Sequence, residues 1–442
     1  MKKIVIIGGG PAGRLVVHAL HKSNQEFDVT LIKDEEINAN RCAVPYGISD
    51  KIPVKKFCIP NTLVTDFGAK LVIDTVASIN KDNQSVTTVT GQKFDYDYLV
   101  IATGSQPFIP PIPNIDLNNI VNVRSKSDME KMRSFAKQYK KCVVVGGGYI
   151  GIEVAVVMRN LGLEVTVVEM QPHVLLMTMD DDFAETIENH IVDQGIHVIN
   201  NTQVTAFEGE NGNVSGVVLD NGEILPADFV IVSVGVKPNI SLAEKTGIVT
   251  SRFGIVTNDY METSVKNIYT AGDCAEKKSF ITGNPSMGEF GTNAVFMSKV
   301  IAANILGKKT TFPGIINANA SSAFEYTFGS AGLIAKAAER EGLDFVVGES
   351  EVMDMYPMME GMSMIKTKLV FDRSSHRLIG GSVLRKGHCS AGNVDFISFA
   401  IQMSATIEDI LVYQYATHPE LAAKPSDNTY LFAAQDALTK LS

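Results

Sequence analysis

At 442 residues the chain is long enough for about three domains of roughly 150 residues each. Its 39 Lys+Arg against 49 Asp+Glu give a net charge of −10 with no basic block, which argues against nucleic acid or an anionic membrane as a partner. Any anionic ligand is left to local donors such as helix N-termini. No apolar run approaches the ~20 residues of a membrane span, and Met1-Lys2-Lys3 leads straight into Ile4-Val5-Ile6-Ile7, a first strand rather than a signal peptide.

Lys2 to Ile7 is followed by Gly8-Gly9-Gly10-Pro11-Ala12-Gly13, a helical stretch from Arg14 to about Lys22, and a second strand from Val29 to Ile32. This is G-x-G-x-x-G in a strand–turn–helix–strand unit, where glycines let backbone N–H groups approach a pyrophosphate. Further on, the strand Tyr98 to Ile101 runs into Ala102-Thr103-Gly104, and a proline-rich stretch spans residues 107–113. The first pattern then returns: Cys142 to Val145, Gly146-x-Gly148-Tyr149-Ile150-Gly151-x-Glu153, a helix to about Leu161, and a strand from Glu164 to Val168. One such match is weak. Two in full context indicate two dinucleotide sites in one chain.

An acidic residue at the end of the second strand binds ribose hydroxyls in such units. In the second unit Glu169 lies 18 residues past Gly151 with no Arg after it, which favours NADH over NADPH. In the first unit Lys33 holds that position and Asp34 comes one later. Either Asp34 takes the ribose through a small register shift, or Lys33 alters the adenosine end of the site.

Val234-Gly235 and Ile268-Tyr269-Thr270-Ala271-Gly272-Asp273 complete a set of motifs that resembles the pyridine nucleotide–disulfide oxidoreductase family along essentially the whole chain. The resemblance implies an α/β fold with two Rossmann-like domains, for FAD and NADH, plus a C-terminal α+β dimerisation domain. FAD would be held by residues 1–112 and 240–320, NADH by residues 113–239, and the dimer by residues 321–442. It assigns Gly8, Gly10, Pro11, Ala12, Gly13, Ala102, Thr103, Gly104, Gly272 and Asp273 to FAD, with Lys33, Asp34 and Arg41 close by. Gly146, Gly148, Tyr149, Ile150, Gly151, Glu153, Glu169 and Gly235 complete the cofactor set on the NADH side and the crossing.

Five cysteines without a C-x-x-C pair, and eight histidines that do not cluster with them, point to a reducing, cytoplasmic compartment and to no metal site. Cys42 stands in Asn40-Arg41-Cys42-Ala43-Val44-Pro45-Tyr46-Gly47. Dithiol members of the family carry C-x4-C here, but Gly47 takes the second position and Cys58 is 16 residues away. The segment resembles the single-cysteine branch: coenzyme A disulfide reductases, polysulfide reductases, NADH peroxidases and NADH oxidases. There the cysteine opens a helix, whose N-terminus would favour the thiolate with help from Arg41. Oxidases and peroxidases of that branch carry a histidine just after the first glycines, and Gly10 to Arg14 holds none. A small disulfide, a polysulfide or a coenzyme A thiol is therefore the expected partner.

The acid that protonates a released thiolate resembles a residue from the partner subunit of a homodimer: Tyr356 in Tyr356-Pro357, Tyr415 in Tyr415-Ala416-Thr417-His418-Pro419, or His418 itself. Arg14, His18, His21 and Lys22 read as a solvated helix face or as contacts for coenzyme A phosphates. Six methionines between Met353 and Met364 suggest strand faces packed in a core, and Cys389 reads as a spectator or a second thiol. Two rival functions remain: an electron-transfer flavoprotein serving a protein partner, and an NADH oxidase reducing oxygen.

Overall fold

A computed structural model describes residues 1–442 apart from Asn24 and His388. The chain forms two compact units, Met1–Ile109 with Asn122–Ser134 and Gly235–Ile315, and Pro110–Val121 with Phe135–Val234 and Ile316–Ser442.

The first unit is built on a five-stranded sheet in the order Ile268–Thr270, Tyr98–Ile101, Lys2–Ile7, Phe27–Lys33, Lys70–Ile73, all parallel. Parallel strands need coverage on both faces, and these strands accordingly read as continuous Ile, Val and Leu runs. The helix Pro11–His21 supplies Ala12, Val16, Val17 and Leu20 to one core, facing Ala294, Met297, Val300 and Ile301 of the helix Gly291–Ile305. Ser298 Oγ donates to Ala12 O at 3.0 Å across that contact. The other face of the sheet buries Val5, Ile7, Leu99 and Ile101.

The second unit repeats the plan and adds to it. Its first sheet runs Ile120–Asn122, Phe229–Val232, Lys141–Val145, Glu164–Val168, Ile196–Ile199. Here too the central strand is parallel to both neighbours. A second sheet is antiparallel, in the order Asn319–Ala323, Tyr326–Gly332, Leu378–Lys386, Met364–Asp372, Phe345–Met353, and is flanked by the helices Ala391–Gln402 and Thr429–Leu441. The α/β class with two Rossmann-like sheets and an α+β unit is the one the sequence pattern implied.

The methionine cluster departs from expectation. Met353 and Met364 pair across neighbouring strands, but the residues between them form the turn that joins those strands. Met355 is buried while Met358 is 71% exposed, so this is one packed residue beside an open loop, not a strand face throughout. Among the described residues no helix is long and apolar enough to cross a membrane.

Candidate functional site

The two glycine loops superpose in their logic, residue for residue. Gly8 donates its N–H to Ile32 O at 2.8 Å, and Gly146 donates to Val168 O at 2.9 Å. Both have left-handed φ angles, +117° and +102°. A Cβ at Gly8 would meet Ala102 O at 2.1 Å, and one at Gly146 would meet Ser233 O at 2.4 Å. The third glycines are just as tight, with Gly13 against Gly8 O at 2.1 Å and Gly151 against Gly146 O at 2.0 Å. Gly10 and Gly148, by contrast, face open space. They are the N-caps of Pro11–His21 and Tyr149–Asn160, helices with no side-chain cap and no acidic residue in the first turn. An uncapped helix start beside an open glycine is a cradle for a diphosphate, so both loops fit a dinucleotide.

In the second loop Glu169 Oε2 accepts the Gly147 N–H at 2.6 Å and Oε1 accepts the Gln171 N–H at 2.8 Å. Tyr149 donates its hydroxyl to Asn319 Oδ1, and burial pushes its pKa up to about 12. Glu153 Oε1 accepts from Ser321 Oγ at 2.7 Å. The side chains of this loop thus reach the neighbouring antiparallel sheet within the same unit. Ile150 is exposed.

The first loop differs where the sequence differs. Lys33 is only 5% exposed and its Nζ donates to Glu36 O, Asn38 Oδ1 and Asn61 Oδ1 at 3.2, 2.8 and 2.7 Å. Burial holds the ammonium below its ordinary pKa. Asn38 Nδ2 in turn donates to Glu35 Oε2 at 2.5 Å, and Arg41 Nη2 donates to Glu35 Oε1 at 3.2 Å. Asn38 Oδ1 lies 2.8 Å from a Cβ built on Gly9, as Glu169 Oε2 lies 3.1 Å from one on Gly147. An amide oxygen held by a lysine therefore stands where the second loop has a carboxylate. Asp34 is exposed, its Oδ1 accepting the Glu35 N–H.

Cys42 is exposed, but it does not open an α-helix. It sits in the short 3₁₀ turn Arg41–Ala43, followed by a second such turn, Pro45–Ile48. Pro45 has no N–H to continue the ladder, so the helix-dipole argument for its thiolate falls away. Arg41 is also committed, through Glu35. A buried cation that the motifs did not mark is Arg124. Its Nη2 donates to Ser105 O at 2.5 Å and lies 3.8 Å from Asp273 Oδ2, while Nε is buried without a partner. Burial pushes its pKa down to about 10, with Arg41 acting in the same direction and Asp273, Glu35 and Cys42 opposing it. A lone Arg following the short strand Ile120–Asn122 and Val123 was the available signal.

Asp273 accepts from Ser105 Oγ at 2.6 Å. Gly272, at φ +81°, packs between Ala12 and Ala294. Thr103 and Asn239 exchange hydrogen bonds, Thr103 Oγ1 to Asn239 O at 2.8 Å and Asn239 Nδ2 to Thr103 O at 2.9 Å. They lock the two crossing strands Ser105–Pro107 and Val236–Pro238, with Gly104 and Gly235 at their ends. The first unit therefore gathers Gly8, Gly10, Pro11, Ala12, Gly13, Lys33, Arg41, Cys42, Ala102, Thr103, Gly104, Gly272 and Asp273. Arg14 folds its Nε back to Gly10 O at 3.3 Å, and His18 and His21 pack edge-on against Phe67.

The three candidate acids belong to the second unit. The Tyr356 N–H donates to Pro419 O at 3.0 Å, which brings Tyr356 beside the His418 segment. His418 Nδ1 accepts the Glu420 N–H at 3.3 Å. Tyr415 donates its hydroxyl to Pro425 O at 2.6 Å, and its ring lies tilted against Tyr413 with centroids 5.3 Å apart. Cys389 is exposed and lies in this second unit.

The sequence pattern of the pyridine nucleotide-disulphide oxidoreductases matches residues 2–295, and that of their dimerisation domain matches residues 320–428. The chain belongs to this family. It is 34% identical to an NADH oxidase of Methanocaldococcus jannaschii, over 100% of this chain and 99% of the other. It is 30% identical to a CoA-dependent NAD(P)H sulfur oxidoreductase of Pyrococcus abyssi, over 95% of each. Among solved structures, an NAD-dependent persulfide reductase from A. fulgidus aligns at TM-score 0.93 and 30% identity, covering 99% of this chain and 83% of that one.

Proposed function

We propose that the protein is a FAD-dependent NADH oxidoreductase that reduces a low-molecular-weight disulfide or polysulfide, coenzyme A disulfide among them, through the single thiol of Cys42. The observation that carries this reading is the exposed, single Cys42 thiol in the turn Arg41–Ala43, in the same unit as the first glycine loop and the Arg124–Asp273 pair. The buried Arg124 guanidinium lies 3.8 Å from Asp273, the residue the family resemblance places on the flavin ribityl chain, and the Cys42 charge acts on it weakly, in the same direction as Asp273.

Gly8, Gly10 and Gly13 with the helix Pro11–His21 would hold the flavin diphosphate, and Gly146, Gly148 and Gly151 with Glu169 would hold NADH. FAD, when bound, supplies the two-electron relay between nicotinamide and sulfur. The Cys42 thiolate attacks one sulfur of R–S–S–R′, forming Cys42–S–S–R′ and releasing R–S⁻. Tyr415, His418 or Tyr356 of the partner subunit in a homodimer gives that thiolate its proton. Two electrons from NADH then cleave the mixed disulfide, returning Cys42 as thiolate and freeing R′–S⁻. Names of relatives support the class: sulfur and persulfide reductases stand beside NADH oxidases at similar identity. No histidine lies between Gly10 and Arg14, which weighs against oxygen as acceptor, and His18 is packed against Phe67.

The test is anaerobic NADH oxidation with coenzyme A disulfide or polysulfide. Cys42→Ser is expected to abolish it while flavin absorbance is retained. Unchanged turnover in that variant would remove the proposal, and fast aerobic NADH consumption without added disulfide would favour the oxidase. Turnover that needs an added protein partner would favour electron transfer.

A further inference from the structure

The backbone at Gly147, inside the second glycine loop, is held from both sides. Its N–H donates to Glu169 Oε2 at 2.6 Å, and its C=O accepts the Leu175 N–H at 2.9 Å. The segment that supplies Leu175 is strained. Leu175 has φ +63°, a left-handed backbone that a bulky side chain rarely adopts. Val174 before it is 0% exposed, with Cγ1 2.7 Å from where a Cβ on Gly147 would stand. Residues in such conformations persist where their surroundings over-determine them, and they gather at ligand sites.

What determines this one comes from another element. Glu188 lies on the helix Asp181–Asp193 with its side chain 12% exposed. Its Oε2 accepts the Val174 N–H at 3.0 Å. Its Oε1 accepts Asn200 Nδ2 at 2.7 Å and lies 3.1 Å from His173 Nδ1. One carboxylate therefore joins the segment that follows Glu169 to the end of the strand Ile196–Ile199, where Ile199 O accepts the Glu169 N–H at 2.9 Å. Glu188 thus reaches Gly147 through two consecutive residues, Val174 and Leu175.

We propose that Glu188 is a positioning residue for NADH: it holds Val174 and the left-handed Leu175 against Gly147, so that Gly147 and Glu169 present a finished surface before the dinucleotide arrives. This rests on the reading of the second loop as the NADH site. Without the carboxylate the buried Val174 N–H has no acceptor and the segment loses its tie to the helix. NADH then has to order it on binding, which costs affinity and leaves hydride transfer unaltered. A glutamine at 188 keeps an oxygen for Val174. Asn200 Oδ1, buried without a hydrogen-bond partner among the described residues, is then free to turn toward the new amide.

The experiment mixes the flavin-loaded protein anaerobically with NADH and follows flavin bleaching, whose dependence on NADH concentration gives an apparent Kd and a limiting rate. Glu188→Met is expected to raise the Kd about tenfold, the scale of one buried donor left without an acceptor, with flavin content and limiting rate kept. Glu188→Gln is expected to restore the wild-type Kd. A lower melting temperature in Glu188→Met with an unchanged Kd would make the residue merely structural and overturn the proposal. So would a Kd in Glu188→Gln as weak as in Glu188→Met, or a limiting rate that falls in step with affinity. Should Glu188→Met not fold, Glu188→Asp, one methylene too short to reach the Val174 N–H, is read by the same criteria. Flavin that NADH does not bleach in the wild type, or bleaches as readily in Gly151→Ala, would remove the second-loop reading itself and the proposal with it.

Discussion

Gly8 and Gly146 do the same work in two copies of one sheet, yet the strands beside them end in opposite charges. Glu169 turns inward and takes the Gly147 N–H, closing its loop with a carboxylate. Lys33 lays its stem against Gly9 and gives its ammonium to three oxygens, among them Asn38 Oδ1 beside the loop. Backbone geometry is therefore set by the glycines, while the group beside the loop is set by the strand end. On the proposed reading, a carboxylate there would select free ribose hydroxyls and repel a 2′-phosphate. The lysine does something else: through Asn38 and Glu35 it ties the first loop to Arg41, next to Cys42.

The largest effect is expected from breaking each loop in turn. Gly13→Ala and Gly151→Ala both drive a Cβ into a carbonyl oxygen at close to 2 Å. If the loops serve different cofactors, Gly13→Ala yields protein without flavin absorbance. Gly151→Ala keeps the flavin and loses its reduction by NADH. Flavin lost equally from both would end the division of labour between them.

Giving the second loop the first loop's residue comes next. Glu169→Lys removes an acceptor of a buried N–H, a loss of ~1–3 kcal/mol, so KM for NADH should rise ~10–100-fold with little change in kcat. The preference for NADH over NADPH should shrink as well. A KM that stays put would mean that Glu169 organises the loop only for itself. The converse site is milder. Lys33→Met strips a donor from three oxygens and should lower stability by ~1–3 kcal/mol, read as a reduced urea midpoint, with KM for NADH unchanged.

The contrast between loops was legible early because it lives in local sequence. Spacing of glycines, apolar strands and the charge at the strand end all act within some thirty residues. Strand Glu164–Val168 and strand Tyr98–Ile101 fall where their apolar runs placed them. What stayed hidden is long-range. Arg124 acquires its place from Ser105 and Asp273, and Met129 acquires its place from Gly47. Neither pairing has a periodicity that marks it. The 3₁₀ turns at Cys42 were missed for a local reason: Pro45 follows Val44 in helical backbone, and the ladder breaks where the proline N–H is missing.

The smallest effect tests whether the second lobe's buried charge matches the first's. Asp180 is 6% exposed and caps the helix Asp181–Asp193 in position only, with no side-chain cap bond. Its Oδ2 accepts from Ser382 Oγ at 2.9 Å. Burial raises its pKa above 3.8 and Asp182 adds to this, against the Ser382 bond, Lys368 and the Ala335 backbone, which lower it. Between 3.8 and the raised native value the folded state binds more protons than the unfolded one, so stability falls as pH rises through that window. Above it the full cost of the buried carboxylate persists. Asp180→Asn keeps an oxygen for Ser382 and removes that cost. It should therefore raise the urea midpoint at pH 7, by an amount that shrinks as pH drops toward 4. A lower midpoint at pH 7 would show that Lys368 and Ser382 more than offset burial. Asp180 would then be a structural partner in the sense that Lys33 is, and the two lobes would differ in the sign of their buried charge but not in its use.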